Sequence, residues 1–272
     1  MTTLTAQRPH PTRPDATEHR RTFAHALHSE WIKLATVRST WWSIGIVAVL
    51  TIGIAVLVAA SMDVPGFEPI QAVVSPIQFT MLLAGILGAI SVTGEYSSGM
   101  IRSTLTANPS RGAALAAKAI VVAAVMFVTS LVIFFAAALV ISPIFAGRDM
   151  AFGWDDPAAS TLPILAASIS MSVFALIGVA FGFVLRSGAG AIAATVGVLF
   201  VLPIIANIFT GIGAGWEWII DASMRLPMSA AQSVILPQDD WGLSPLEGYL
   251  TLAAWVAAGM LAAWTVLRTR DA

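Results

Sequence analysis

Of the 272 residues, 57% are hydrophobic and 11% charged, and the mean hydropathy is +0.84, which excludes an ordinary soluble domain built on a single core. A net charge of -1 gives no general attraction to nucleic acid, and the few basic residues form no aromatic-interleaved patch, so nucleic-acid binding is excluded as well. With no cysteine, the chain has no disulfide framework, thiolate metal site or cysteine nucleophile.

Residues 1–22 are polar, carry Pro9, Pro11 and Pro14, and hold scattered Arg and His. Such a segment buries too little apolar surface to order itself, and a disordered cytoplasmic tail is expected. Arg20-Arg21-Thr22-Phe23 faintly resembles a twin-arginine export signal. The apolar run begins about twenty residues later, is of full spanning length and lacks a small-residue cleavage site, so that reading is rejected. From Phe23 to Arg38, the positions Phe23, Leu27, Trp31 and Leu34 form one stripe, with His28, Lys33 and Thr36 off it. This predicts an interfacial helix, either a juxtamembrane anchor or a contact for a partner. His25 and His28 share a helix face but have no carboxylate pair or cysteine to complete a metal site.

Six apolar runs of spanning length follow, near 41–62, 73–93, 116–142, 163–185, 189–212 and 246–267. The expected fold is an all-α integral membrane protein, with residues 23–272 forming a single six-span transmembrane domain. Ser75-Pro76-Ile77-Gln78 and Ser244-Pro245-Leu246-Glu247 fit the capping-box pattern and place the starts of the second and sixth spans. Asp156 before Pro157 predicts a capped turn leading into the fourth. Twelve of the fourteen Lys and Arg fall in the N-terminal segment, the loop after the second span, the Arg186 turn and the C-terminal tail. By the positive-inside rule that side is cytoplasmic, and both termini with it. Two lysines against twelve arginines, with abundant alanine, are expected of a GC-rich bacterial genome and hence a bacterial plasma membrane.

The polar stretch from Gly94 to Lys118 separates the second and third spans. Wound as one helix from Glu95, it sets Glu95, Ser98, Arg102 and Thr106 on one side and Tyr96, Met100, Ile101 and Leu105 on the other. Such a helix is too short and too charged to span, so it is expected to lie beside the membrane. Asn108 and Pro109 are expected to cap and open the next helix. In the last outer loop, 213–243, Glu217, Asp221 and Arg225 recur every four residues. Short amphipathic helices at the interface and a Trp-anchored surface loop are both compatible with this pattern.

The interiors of the six runs hold no Asp, Glu, Lys or Arg, and all four His precede residue 30. Proton- and ion-coupled transporters carry ionisable residues at membrane depth, which weakens that class. An intramembrane hydrolase would need a nucleophile with a base, or metal ligands such as HExxH, and neither pattern is present. No P-loop occurs, so any ATP hydrolysis belongs to a partner. Among the span polar residues, Gln78 and Asn207 are candidates for lining a pathway. Gln78 is also explained by its capping box, and Asn207 by an interhelical hydrogen bond. Gly178 and Gly182 suit close helix packing within or between subunits.

The segment SEWIKLATVRSTWW at Ser29–Trp42, followed after the second span by GEYSSGMIRSTLTANPSRGAALAAK, resembles the ABC-2 type transporter permeases. Glu30 and Lys33 match the Glu and Lys pair of that family's juxtamembrane helix, and Glu95, Gly99, Leu105, Pro109, Ser110, Arg111 and Lys118 match the order of its post-span motif. The resemblance implies a type V exporter-like subunit in which the loop after span two is a coupling helix, an amphipathic outer segment lies between spans five and six, and Glu30 and Lys33 make juxtamembrane contacts. Glu95, Tyr96, Gly99, Met100, Ile101, Arg102, Leu105 and Arg111 would then serve ATPase coupling; Glu95 and Arg111 are otherwise ordinary solvated charges at a membrane edge. It further implies a second permease subunit, as homodimer or heterodimer, and two cytoplasmic ATPase subunits that hold ATP and magnesium. This chain itself would be no enzyme and carry no cofactor. Short outer loops and an apolar interior lean toward hydrophobic or amphipathic cargo leaving the cell. A non-transporting scaffold or sensor that recruits a soluble partner is the reading from another class.

Overall fold

The computed structural model describes residues 22–270 other than 63, 65, 108–109, 149, 151, 211–216 and 238–241, and not the side chains of 105, 107, 210 and 217. The expected disordered tail, Thr22 apart, and the Asn108-Pro109 cap lie outside the described residues. Every regular element among those described is helical. The helices are α1 (Phe23–Thr36), α2 (Arg38–Ser61), α3 (Pro69–Val74), α4 (Ile77–Ser97), α5 (Met100–Ala107), α6 (Arg111–Ala146) and α7 (Thr161–Leu185). Then come α8 (Gly188–Val196), a π-helical turn (Gly197–Val201), α9 (Leu202–Thr210), α10 (Glu217–Met224), α11 (Pro227–Ile235) and α12 (Pro245–Thr269). Six segments are long and apolar enough to cross a membrane: Arg38–Ser61, Pro69–Ser97, Arg111–Ala146, Thr161–Leu185, Gly188–Phe209 and Pro245–Thr269. On that ground the chain is a multi-pass membrane protein.

The second segment starts earlier than its capping pattern suggested. Ser75 is right-handed helical and its hydroxyl donates to the Ala72 carbonyl, so it caps nothing downstream. The box forms instead at Glu68 and Gln71, with Pro69 at the first helical position. Extending the helix upstream buries Ile70, Val73 and Val74, which a start at Ser75 would have left outside. The other box is present as expected: Ser244 Oγ accepts from the Glu247 N–H, and the Glu247 carboxylate accepts from the Ser244 N–H at 2.9 Å. Asp156 also behaves as a turn residue, its carboxylate accepting from the Ala158 N–H at 2.9 Å. Ahead of Pro203 the chain widens into the π-helical turn, where the Leu202 N–H reaches the Gly197 carbonyl. The wider turn accommodates a proline that has no N–H to offer and whose ring would crowd an α-helix.

The centre of the bundle is the crossing of α4 and α7. A Cβ on Gly178 would lie 1.9 Å from the Gly85 carbonyl oxygen, and one on Gly88 would lie 2.0 Å from that of Ala175. Gly182 faces Val92 with the same lack of room, at 2.8 Å. The Gly178 and Gly182 pair therefore packs within the chain, Gly178 against Gly85 and Gly182 against Ala89 and Val92 of α4. Backbone-to-backbone approach of this kind replaces the hydrophobic drive that lipid cannot supply. Around the seam, Ala84, Ala89, Ala175 and Phe174 are fully buried.

The outer segment between the fifth and sixth spans folds into α10 and α11. The latter buries Met228, Ala230, Ala231, Val234 and Ile235 against α7 and α12. Arg225 donates to the Asp221 carbonyl oxygen rather than forming an i,i+4 ion pair, and its own carbonyl accepts from Trp255 Nε1 at 2.9 Å. Arginines close helix ends at both poles of the bundle. Arg148 donates to the carbonyls of Ala59, Ala60 and Met62 at the end of α2, and Arg186 to those of Val266 and Arg270 at the end of α12.

The seam makes a sharp prediction. Gly88→Ala forces apart two backbones and should destabilise the purified protein by about 1–3 kcal/mol, read as a lower melting temperature in detergent. Gly94→Ala, whose Cβ would meet nothing within 4 Å, should instead stabilise α4 slightly through helix propensity.

Candidate functional site

Residues that carry charge and sit far apart in the sequence meet at the end of the bundle where α1, α5, the start of α6 and the end of α12 gather. Glu30 and Lys33 are one turn apart on α1, Glu95 lies in the last turn of α4, and Lys118 is on the third turn of α6. Lys33 Nζ is 2.6 Å from Glu30 Oε1 and 3.0 Å from Glu95 Oε1. Lys118 Nζ is 2.6 Å from Glu30 Oε2 and 2.7 Å from Glu95 Oε1. The two carboxylates and two ammonium groups thus alternate around a closed ring with no net charge.

The ring is also well supplied with hydrogen bonds. Each ammonium has a third acceptor at 3.2 Å, the Thr104 hydroxyl for Lys33 and the Ser91 carbonyl for Lys118. The Thr104 hydroxyl in turn lies 3.4 Å from Glu95 Oε2 and donates to it, tying α5 into the ring. Glu30, Glu95 and Lys118 are 4%, 3% and 4% exposed, and only Lys33 keeps partial access to solvent, its side chain 22% exposed. Burial by itself would lower the Lys33 pKa. Hydrogen bonding and Coulomb attraction, first to Glu30 and then to Glu95, outweigh it and hold the ammonium above its ordinary value of 10.5.

The polar stretch is not one helix from Glu95. Gly99 adopts φ +72°, a left-handed turn that favours glycine, and it separates α4 from α5. Glu95 therefore belongs to the spanning helix and faces inward, while α5 restarts at Met100. On α5, Ile101 is buried, Met100 is 42% exposed, and Arg102 and Ser103 face outward. Leu105 falls on the same short helix. Tyr96 is half-buried, with its ring edge-on to Phe183 at 6.4 Å and the Arg186 guanidinium 5.4 Å from its centroid. Arg111, in the first turn of α6 behind its Ser110 cap, donates to the Leu267 carbonyl at the end of α12.

The structure thus brings Glu30, Lys33 and Glu95 together and adds Lys118 and Thr104. Gln78 and Asn207 stand apart from the ring, exposed on the first turn of α4 and on α9; the Asn207 amide donates to the Pro203 carbonyl at 2.9 Å. Lys118 carried a usable signal: a lysine followed by the long apolar run of α6 needs a buried acid. Thr104 carried none. Among the described residues, no three His, Asp or Glu approach closely enough to hold a metal ion. The chain matches no protein-family model, and no curated protein matches it.

Two outcomes test the ring. Lys118→Met leaves two buried carboxylates sharing Lys33 and should cost about 3–5 kcal/mol, whereas Glu95→Gln combined with Lys118→Met should recover part of the loss. Thermal unfolding of the single and double variants measures the difference. Because the folded-state pKa of Lys33 is raised, its contribution is complete below the ordinary value of 10.5 and is lost as pH rises through the higher folded value. The melting temperature should therefore fall more steeply above about pH 10.5 in the parent chain than in Lys33→Met.

Proposed function

We propose that the chain is the transmembrane permease subunit of an ATP-driven exporter of the ABC-2 type, powered by a separate ATPase. Its type V exporter-like layout pairs it with a second permease subunit and two cytoplasmic ATPase subunits that bind ATP and magnesium. Both termini lie in the cytoplasm of a bacterial cell, supported by the concentration of Lys and Arg on that side. The cargo is hydrophobic or amphipathic and leaves the cell.

The observation that carries this reading is the attachment of α5. A short helix with Met100, Arg102 and Ser103 turned outward offers an anchor shape for a groove on a partner. Through Thr104 the same helix is fastened to Glu95 and Lys33, and so to α1, α4 and α6. A pull on α5 is passed to three helices at once. The glycine seam then carries the motion of α4 to α7 as a packed unit, the rigid-body element that alternating pathway states require. Gly99 supplies the joint at which α5 can tilt against α4.

Co-purification tests the proposal directly. The tagged chain in mild detergent should retain a P-loop ATPase in equal stoichiometry, with ATPase activity in the eluate. Met100→Ser with Arg102→Glu, both on the exposed face, should weaken that association about tenfold or more while the melting temperature stays unchanged. A chain that elutes without an ATPase would move the assignment to a membrane scaffold. Charge reversal at Glu95 is unsuited to this test, since it breaks the ring itself.

A further inference from the structure

Beside the ion ring lies a cavity of about 330 Å³ whose apolar wall takes no part in the coupling scheme. Its size is at the lower end of ligand pockets. Ile44 of α2, Leu87 and Ile90 of α4, and Val122, Val125 and Met126 of α6 form its apolar wall. Lys33, Glu95 and Lys118 close one end, next to Ser39 and Thr40 at the start of α2. From Glu95 down to Leu87 the wall runs eight residues of α4, about 12 Å along the axis. Ile90 is 45% exposed, so the slot opens sideways between helices long enough to span a bilayer.

An apolar slot that opens toward hydrocarbon and ends at charge fits an amphiphile, with its chain inside and its head at the charged end. The sign of the head follows from which charges face outward. Glu30 and Glu95 are buried and each is paired with two ammonium groups. Lys33 is the one ring member with partial exposure, and Arg38, between the slot residues Val37 and Ser39, is exposed. The ring ammonium groups already have three acceptors each, so the head need not break the ring. It would rest against the Ser39 and Thr40 hydroxyls, in a field set by the exposed Arg38.

We propose that this slot seats one alkyl chain of an anionic amphiphile with a phosphate or carboxylate head, drawn from the leaflet at the α5 end. Bulk lipid and transported cargo share that chemistry. The proposal goes beyond the exporter reading and does not need it, because the site is complete within one chain. Its occupant would touch Met100, Glu95 and Lys33, the elements through which α5 is held.

Native mass spectrometry of the full chain tests it without an ATPase. After reconstitution in phosphatidylcholine nanodiscs containing phosphatidylglycerol and release into neutral detergent, the chain should retain one phosphatidylglycerol. Val125→Phe, which fills the slot, should reduce retention about tenfold, and the surface change Arg38→Glu should reduce it about fivefold. Melting temperatures equal to the parent's confirm that the variants are folded. Equal retention in parent and variants, or no preference for phosphatidylglycerol over phosphatidylcholine, would overturn the proposal. In chain purified directly from cells, a retained glycerophospholipid identifies the bilayer as the source, and any other anionic amphiphile identifies cargo; release of neither kind also overturns it.

Discussion

Four charged side chains packed within one turn of one another are tolerable in a protein interior only when the ledger of charge and hydrogen bonds closes. Desolvating each ion costs several kcal/mol, and mutual attraction offsets this only with good geometry and filled hydrogen-bonding capacity. Both conditions are met here. Glu30, Lys33, Glu95 and Lys118 sum to zero, alternate in sign, and give each ammonium three acceptors within 3.2 Å. The four groups come from three helices, and Lys33 and Glu95 are 62 residues apart in the sequence. The ring consequently fixes where α1 lies against the bundle, and no member can move far while the others stay.

That constraint matters because little else holds α5. The α4 and α7 seam is secured by glycine contacts that tolerate no added carbon, and α11 is tucked against α7 and α12. By contrast, α5 is a two-turn helix between Gly99 and Ser110, attached through Thr104 and the buried Ile101. A rigid centre joined to a peripheral helix by a few polar contacts is the arrangement in which a small external force moves one element without unfolding the other. The ring stands at the junction of the two regimes.

Much of this was legible in the sequence, for definable reasons. Span number and approximate position follow from run length and hydropathy, which depend on local composition alone. The Ser244 box was readable because its pattern is local and nothing competes with it, whereas at Ser75 the burial of Ile70, Val73 and Val74 outweighed an equally good local pattern. Helical periodicity puts Glu95 on the polar side of one helix running past Gly99, whereas Glu95 ends the spanning helix α4, because periodicity cannot register a left-handed glycine. Glu30 with Lys33 was visible as an i,i+3 pair; Lys118 and Thr104 complete the ring only through tertiary packing, 23 and 9 residues from Glu95.

The same comparison explains why the spans read as free of charge and yet the bundle contains a buried ionic site. Glu95 and Lys118 both lie in the terminal turns of long helices, and α6, with 36 residues, runs about 54 Å, well beyond a hydrocarbon core of about 30 Å. That excess length leaves room for its first turns to extend past the apolar slab, and α1 packs against them. Burial there is by protein, not by lipid, which lets ions be dry without crossing membrane depth. A secondary transporter must place its coupling charge near the midplane, but a subunit driven from outside needs only a stiff charged joint at its edge. The position of the ring, near the ends of α4 and α6 and away from their middles, is thus a feature on which the proposed exporter reading draws.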